Sequence, residues 1–371
     1  MKASPPQPPS QGQLTERDRE HFSEPSWDSK GLCPLAAGGL PPGARRMTGY
    51  LLRRIVHLAA LLAAVSVLSF TLVSMSPIDP VDAYIGADVM KVGPEQRAKI
   101  AARWGLDKPP LERFTAWAGN LVRGDFGVSA IYSEPVLTVI GKRFAMSLWL
   151  MALAWVFSGL FGFVLGVVAG AFEGGLFDRA VRFYAYLLAG TPTFWLGLLL
   201  LLVFSVALRL TPVCCAFPPG VTPEEATVWQ RLWHLALPAA TLSIVGVSAV
   251  ILHTRQKMIQ AMRSDYALFA RAQGEDTMGV VRHHALRNVV LPAVTLQFAT
   301  LGELFGGSIL AEQVFSYPGL GQATVEAGLR GDVPLLLGIV LVSAVFVFTG
   351  NTVADLLYRA IDPRIGWRGA A

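Results

Sequence analysis

Ile55-Val56-His57-Leu58-Ala59-Ala60-Leu61-Leu62-Ala63-Ala64-Val65-Ser66-Val67-Leu68-Ser69-Phe70-Thr71-Leu72-Val73-Ser74-Met75 is the stretch that decides the fold. An apolar run of roughly 20 residues, rising 1.5 Å per residue, crosses a hydrocarbon core about 30 Å thick, so it predicts a spanning helix. It exceeds the apolar core of a signal peptide, about 7 to 15 residues, and no convincing cleavage site follows, which predicts an uncleaved anchor. The whole chain agrees. It is 53% hydrophobic and 15% charged, with a mean hydropathy of +0.48, whereas soluble domains carry about 25% charged residues. Five further runs, at about 145–171, 183–208, 233–254, 289–313 and 335–358, predict an all-α, polytopic membrane protein with six transmembrane helices.

Six helices place both termini on one side. The cluster Arg45, Arg46, Arg53 and Arg54 at the first span predicts that this side is the cytoplasm, because basic flanks are retained there. Segment 255–288 then falls inside, with Arg255, Lys257, Arg263, Arg271, Arg282 and Arg287 against Asp265, Glu275 and Asp276, and so does the tail with Arg359, Arg364 and Arg368 against Asp362. Lys142 and Arg143 run the other way, abutting the second span on its outer side. Long translocated regions largely escape the charge rule, so the orientation stands.

Residues 1–46, rich in proline, serine, glycine and charge, are expected to be a disordered cytoplasmic tail, because they hold too little apolar surface to offset the entropy of ordering. Residues 47–75 carry the first helix. In the extracytoplasmic segment 76–144, Pro94-Glu95 opens a candidate helix ended by Gly105. Leu111, Phe114, Trp117, Ala118, Leu121 and Val122 recur at the helical period before Gly124. Short amphipathic helices capping the outer face and a helix at the lipid interface both fit. The net charge of +5 is scattered between apolar runs rather than gathered on a stripe, which argues against a nucleic-acid partner. Cys33, Cys214 and Cys215 supply neither a disulfide framework nor spaced zinc pairs. No phosphate loop, dinucleotide fingerprint or repeat of 20 to 50 residues is found, so the chain is expected to hold no ATPase of its own.

The region Asp265-Tyr266-Ala267-Leu268-Phe269-Ala270-Arg271-Ala272-Gln273-Gly274, followed by Arg282-His283-His284-Ala285-Leu286-Arg287-Asn288-Val289-Val290-Leu291-Pro292, resembles the cytoplasmic coupling loop of the dipeptide, oligopeptide and nickel ABC-importer permeases, specifically their B-type subunit. Further matches follow in order: Gly124-Asp125-Phe126-Gly127-Val128-Ser129, Thr191-Pro192-Thr193-Phe194-Trp195-Leu196-Gly197, Pro318-Gly319-Leu320-Gly321 and Ile361-Asp362-Pro363-Arg364-Ile365.

The resemblance implies the type I importer permease architecture, with a five-helix core over 145–366 that includes the coupling loop 255–288, and a cytoplasmic tail 367–371. It implies residence in the bacterial inner membrane and a pathway for short peptides, with nickel or a nickel chelate as the alternative cargo. It implies as partners a homologous C-type permease, two ATP-binding subunits carrying ATP and Mg, and an extracytoplasmic solute-binding protein. This chain would then bind no cofactor. Asp265, Tyr266, Ala270, Arg271, Ala272, Gly274, Arg282, His283, Arg287 and Asn288 would form the surface that meets an ATPase, Ala270 and Ala272 permitting close approach. The loop departs from the Glu-Ala-Ala pattern, having Leu268-Phe269-Ala270. The family's chains usually begin near Met47, so residues 1–46 are expected to be dispensable.

Other residues bear on transport or on packing. Glu303 lies within the fifth span, where an ionised carboxylate in lipid costs about 2.5 to 3.5 kcal/mol, so it should face protein or water. Glu312 lies near it. Thr191 and Pro192, after Gly190, interrupt the third span as a kink, either lining the pathway or purely structural. Gly302, Gly306 and Gly307 permit close helix approach. Asp355 and Arg359, four residues apart, suit an intrahelical pair. Cys214 and Cys215 are either incidental or a thiolate site. An intramembrane hydrolase would need a nucleophile beside a base such as His57 or His253, and a proton-coupled transporter would show repeats and several buried carboxylates.

Overall fold

The computed structural model describes residues 42–75, 93–96, 99, 108–222 and 225–361. In chain order the helices are α1 (Pro42–Ser74), α2 (Pro110–Val122), α3 (Val136–Ala171), α4 (Leu176–Ala189), α5 (Thr193–Leu200), α6 (Val228–Met262), α7 (Asp265–Ala272), α8 (Thr277–Val280), α9 (Leu286–Ala299), α10 (Leu301–Val314), α11 (Leu320–Leu329) and α12 (Val333–Ile361). A π-helical stretch, Leu201–Ala207, continues α5, and another, Val281–Ala285, joins α8 to α9. Residues before Tyr50 form a separate unit from the bundle that begins at Tyr50.

Among the described residues, four helices are long and apolar enough to cross a membrane alone: Gly49–Ser74 within α1, α3, α6 and Val333–Leu357 within α12. Two bent pairs complete six spans. Leu176–Ala189 turns by 107° into Thr193–Ala207, and Thr277–Ala299 turns by 50° into Leu301–Val314. The third span is therefore two half-helices meeting almost at a right angle, where the sequence predicts a kink. Pro192 explains the stop: it caps α5, and its ring prevents α4 from continuing.

The centre of the bundle is the α3–α6 pair. Gly162, Gly166 and Gly170 recur every four residues on α3, and a Cβ at each would lie 2.6–2.8 Å from Val250, Thr254, Met258 or the Ile251 and Arg255 carbonyls. Only glycine lets the two backbones approach this closely. The close-approach glycines expected in the fifth span behave differently. Gly302 and Gly307 make ordinary or slightly tight contacts with Val347 and Leu242, and Gly306 has open space around it. Buried Gln297 joins α9 to α3 by donating from Nε2 to the Trp155 carbonyl (2.7 Å), while Trp155 Nε1 donates to the Gln297 carbonyl (2.8 Å). The amide nitrogen of a polar side chain deep in the span is thereby satisfied internally, while its Oε1 has no partner among the described residues.

α3 starts at Val136, about nine residues before the predicted span. Lys142 and Arg143 therefore sit inside a helix that outruns the bilayer, and both have partners: Lys142 with Glu134 (2.8 Å), Arg143 with Gln322 (3.3 Å) and the Tyr132 hydroxyl (3.2 Å). α6 likewise begins earlier, at a capping box. The Thr227 hydroxyl accepts the Gln230 N–H, and the Gln230 side chain accepts the Thr227 N–H. α1 is peripheral. It is tied near one end by Arg54, which pairs with Asp355 and lies over Phe348, and near the other by Phe70 against Phe114 and Trp117 of α2. Asp355 thus pairs with Arg54 across two helices, and the Arg359 side chain lies outside the described residues. Pro94–Gln96 is helical, but Gly105 and residues 1–41 also lie outside them.

Candidate functional site

α7 projects from the end of α6 after two residues. Ser264 caps it, Asp265 occupies its first turn, and Gly274 closes it at φ +94. The Gly274 N–H donates to the Arg271 carbonyl and the Glu275 N–H to the Ala270 carbonyl, the paired bonds of a left-handed glycine stop. One face of α7 is internal. Ala267 and Ala270 pack with Met258, Ala261 and Met262 of α6, Val167 of α3, and Val280, Val281, Ala285 and Val289. Ala270 is 2% exposed, so the expectation that it stands open to a partner is corrected: it belongs to this chain's own core. Its spacing from Ala267 places it on the inner face, and Ala272 falls on the outer one.

The outer face carries Tyr266, Leu268, Phe269 and Ala272, with Met278 beyond the turn. Phe269 is 66% exposed and Leu268 54%, an apolar knob standing clear of the core. Around it Arg271, Arg282 and Arg287 are exposed and form no ion pair with the described residues. His284 and His283 instead face Glu275, at 3.2 and 3.8 Å. Asn288 donates from Nδ2 to the Tyr266 hydroxyl (3.1 Å) and to the His284 carbonyl (3.3 Å), locking α7 to the start of the fifth span. The two sequence segments are therefore brought together as one surface.

The other candidate residues lie elsewhere. Thr191 and Pro192 stand at the 107° break, and the Thr191 hydroxyl donates to the Leu187 carbonyl of its own helix (2.7 Å). Glu303, in the first turn of α10, is exposed on this chain. It shares a stripe of α10 with exposed Gly306 and Leu310, and no hydrogen bond or ion pair joins its carboxyl to the described residues. His57 Nδ1 lies 2.6 Å from the Arg53 carbonyl, and no described serine hydroxyl bonds to His57 or His253.

At the opposite end of the bundle, motifs carried by resemblance acquire structural causes. Asp332 caps α12 through the Leu335 N–H (3.2 Å) and accepts the Ser129 hydroxyl (2.5 Å) and the Ile131 N–H (3.1 Å). That fixes segment 124–129 against α12. Tyr132 donates to Glu326 (2.8 Å), and burial together with that hydrogen bond pushes its phenol up to about 12, so the contact stays protonated at any working pH. Cys214 and Cys215 are joined to each other in a disulfide, contrary to both the incidental and the thiolate reading; Cys33 is outside the described residues. The bonded pair is held by the Cys215 N–H to the Phe315 carbonyl (3.0 Å) and by His234 Nδ1 at 3.0 Å from the Cys214 carbonyl.

A helical membrane bundle with one sharply broken span and an apolar, basic-rimmed knob at one end defines a polytopic transport subunit. The chain belongs to the family of inner-membrane components of binding-protein-dependent transport systems. The family model with that description matches residues 162–367, and the model of its N-terminal region matches residues 47–151. Among relatives, the chain is 31% identical over 323 residues to the oligopeptide transport system permease protein AppB of Bacillus subtilis (86% of this chain, 99% of the relative). It is 33% identical over 334 residues to the di/tripeptide transport system permease protein DppB of Pseudomonas aeruginosa, with the same coverage. The dipeptide transport system permease protein DppB of Escherichia coli is 32% identical over 337 residues, again with 86% and 99% covered.

Proposed function

We propose that this chain forms half of a translocation pathway for short peptides in a bacterial inner membrane and is driven by separate ATPase subunits. The observation that carries the reading is the α7 knob. Leu268, Phe269 and Ala272 expose apolar surface outside any membrane span, while the face behind them is packed into the core. An exposed apolar patch with a polar rim marks a protein contact. Arg271, Arg282 and Arg287 suit a groove with acidic edges. The partners are a homologous C-type permease, two ATP-binding subunits that hold ATP and Mg, and an extracytoplasmic solute-binding protein. The relatives named above are all peptide permeases, which favours peptides over nickel or a chelate. Vesicles containing both permeases and both ATPases are the test. Uptake of a short peptide should require ATP and the binding protein, and peptide uptake that persists without ATP would overturn the reading.

In this assembly α7 faces the cytoplasm, and α11, at the opposite end of the bundle, faces outward. Glu303 lines the seam between the two permeases, because leaving its carboxylate in lipid costs about 2.5 to 3.5 kcal/mol and the described residues offer it no partner. Single cysteines read both statements. Gly328→Cys should react with an impermeant thiol reagent from outside and Gln273→Cys only from inside. Glu303→Cys should react with a small water-soluble reagent in the assembled complex, whereas Leu160→Cys, on the apolar outer face of α3, should not. Equal protection of Glu303→Cys and Leu160→Cys would remove Glu303 from the pathway.

A further inference from the structure

Asp178 is the one side chain of α4 that is charged and fully buried, at 0% exposure. Both of its oxygens are engaged. Oδ1 accepts Arg255 Nε (2.5 Å), and Oδ2 accepts Arg255 Nη2 (2.9 Å) and the Gly174 N–H (2.9 Å). Arg182 adds a second cation, its Nε 3.5 Å from Oδ2 and without a hydrogen-bond partner. The two-pronged guanidinium–carboxylate geometry fixes orientation as well as distance. Two helical turns further along α6, Arg263 reaches Glu173 (2.8 Å). The turn between α3 and α4 is therefore pinned twice to the last three turns of α6.

Those turns are the ones on which α7 is built. Ala267 and Ala270 of α7 pack on Met258, Ala261 and Met262, so α7 and the end of α6 share one packed core. On its other side, the pinned turn opens α4, which runs directly to the 107° break at Gly190-Thr191-Pro192. Adhesion between α4 and the bundle has its own source: Val181, Ala185 and Leu188 pack with Ala169, Val247 and Ile251. The ion pair adds what apolar packing lacks, a fixed register between the end of α6 and the start of α4.

We infer that Asp178 and Arg255 form a strut that carries displacement of α7 to the broken third span, making both positioning residues for transport. This rests on the reading of α7 as the ATPase contact. A displacement imposed on α7 reaches α4 through the strut before any apolar contact has to slide. Without the strut, α7 still docks and the ATPases still turn over, but α4 follows imperfectly and hydrolysis is wasted.

The experiment uses the complete transporter in vesicles, with ATP hydrolysis and peptide uptake measured together. Asp178→Asn should assemble, hydrolyse ATP and lower uptake per ATP by about 5-fold or more, the low end of ordinary couplings between sites. Asp178→Asn leaves a buried guanidinium short of its counter-charge, so a second variant separates coupling from folding. Asp178→Leu with Arg255→Met replaces the pair by apolar groups of similar size, an exchange that often preserves stability. A folding role predicts restored uptake per ATP in the double variant; a strut predicts the same deficit. Wild-type uptake per ATP in the double variant overturns the inference, and so does failure of both variants to assemble, which assigns the pair to folding. Absence of ATP-driven uptake in the unaltered transporter counts instead against the proposed function.

Discussion

Ala272→Trp is expected to insert and pair normally while reducing peptide uptake to background. Ala272 is exposed on α7, one turn from Leu268 and next to the basic rim, so an indole there points away from the packed core of the described residues. Against a closely fitted partner it acts as a wedge. A single central clash in a docked helix weakens association by about 2 kcal/mol or more, roughly 30-fold. Ala270→Trp is the control from the opposite face. It forces an indole among Met258, Val280 and Ala285, and such overpacking costs about 1 to 3 kcal/mol and disturbs the chain itself. Co-purification of the ATPase and the amount of permease in the membrane distinguish the two. Ala272→Trp should lose the ATPase and keep the permease, and Ala270→Trp should reduce the permease first. Full ATPase binding and full uptake by Ala272→Trp would return α7 to the status of a solvated basic connector.

The fold was legible because apolar runs of spanning length need no partner to be recognised, and Ile55–Met75 alone excluded a soluble protein. What sequence could not resolve was which face of each helix looks inward. Ala270 and Ala272 are indistinguishable as residues, and only the packing of α7 on Met258 and Met262 separates them. The break at Pro192 was visible, but its 107° angle depends on where α4 and α5 find their partners. Asp178 escaped notice because its partner is 77 residues away and neither residue lies in a recognisable pattern. Two signals were present and unused. Thr227-Val228-Trp229-Gln230 is a helix-start box, and Gly162, Gly166 and Gly170 are spaced for close helix contact.

Glu312→Leu is expected to lower the amount of folded permease by about tenfold or more, through loss of a corner rather than of a transport group. Glu312 is fully buried at the end of α10, where the chain turns into α11. Its Oε1 accepts the Ser147 hydroxyl of α3 (2.6 Å), and its Oε2 accepts the Gln322 N–H (3.1 Å). Ser147 in turn accepts the Leu320 N–H (2.7 Å). Two of the first N–H groups of α11, those of Leu320 and Gln322, which no helix can satisfy from within, are thus capped by side chains of two other helices. The glycines of Pro318-Gly319-Leu320-Gly321 follow from this, since a Cβ at Gly319 or Gly321 would collide with the Glu312 carboxyl. Leucine fills the volume and accepts nothing, leaving buried donors unsatisfied at about 1 to 3 kcal/mol each. Glu312→Gln keeps one acceptor oxygen and should fall between leucine and the native residue. The ordering native, Gln, Leu in thermal stability of the purified protein is the measurement. Equal stability of all three would mean that the α10–α11 corner is held by its apolar contacts alone.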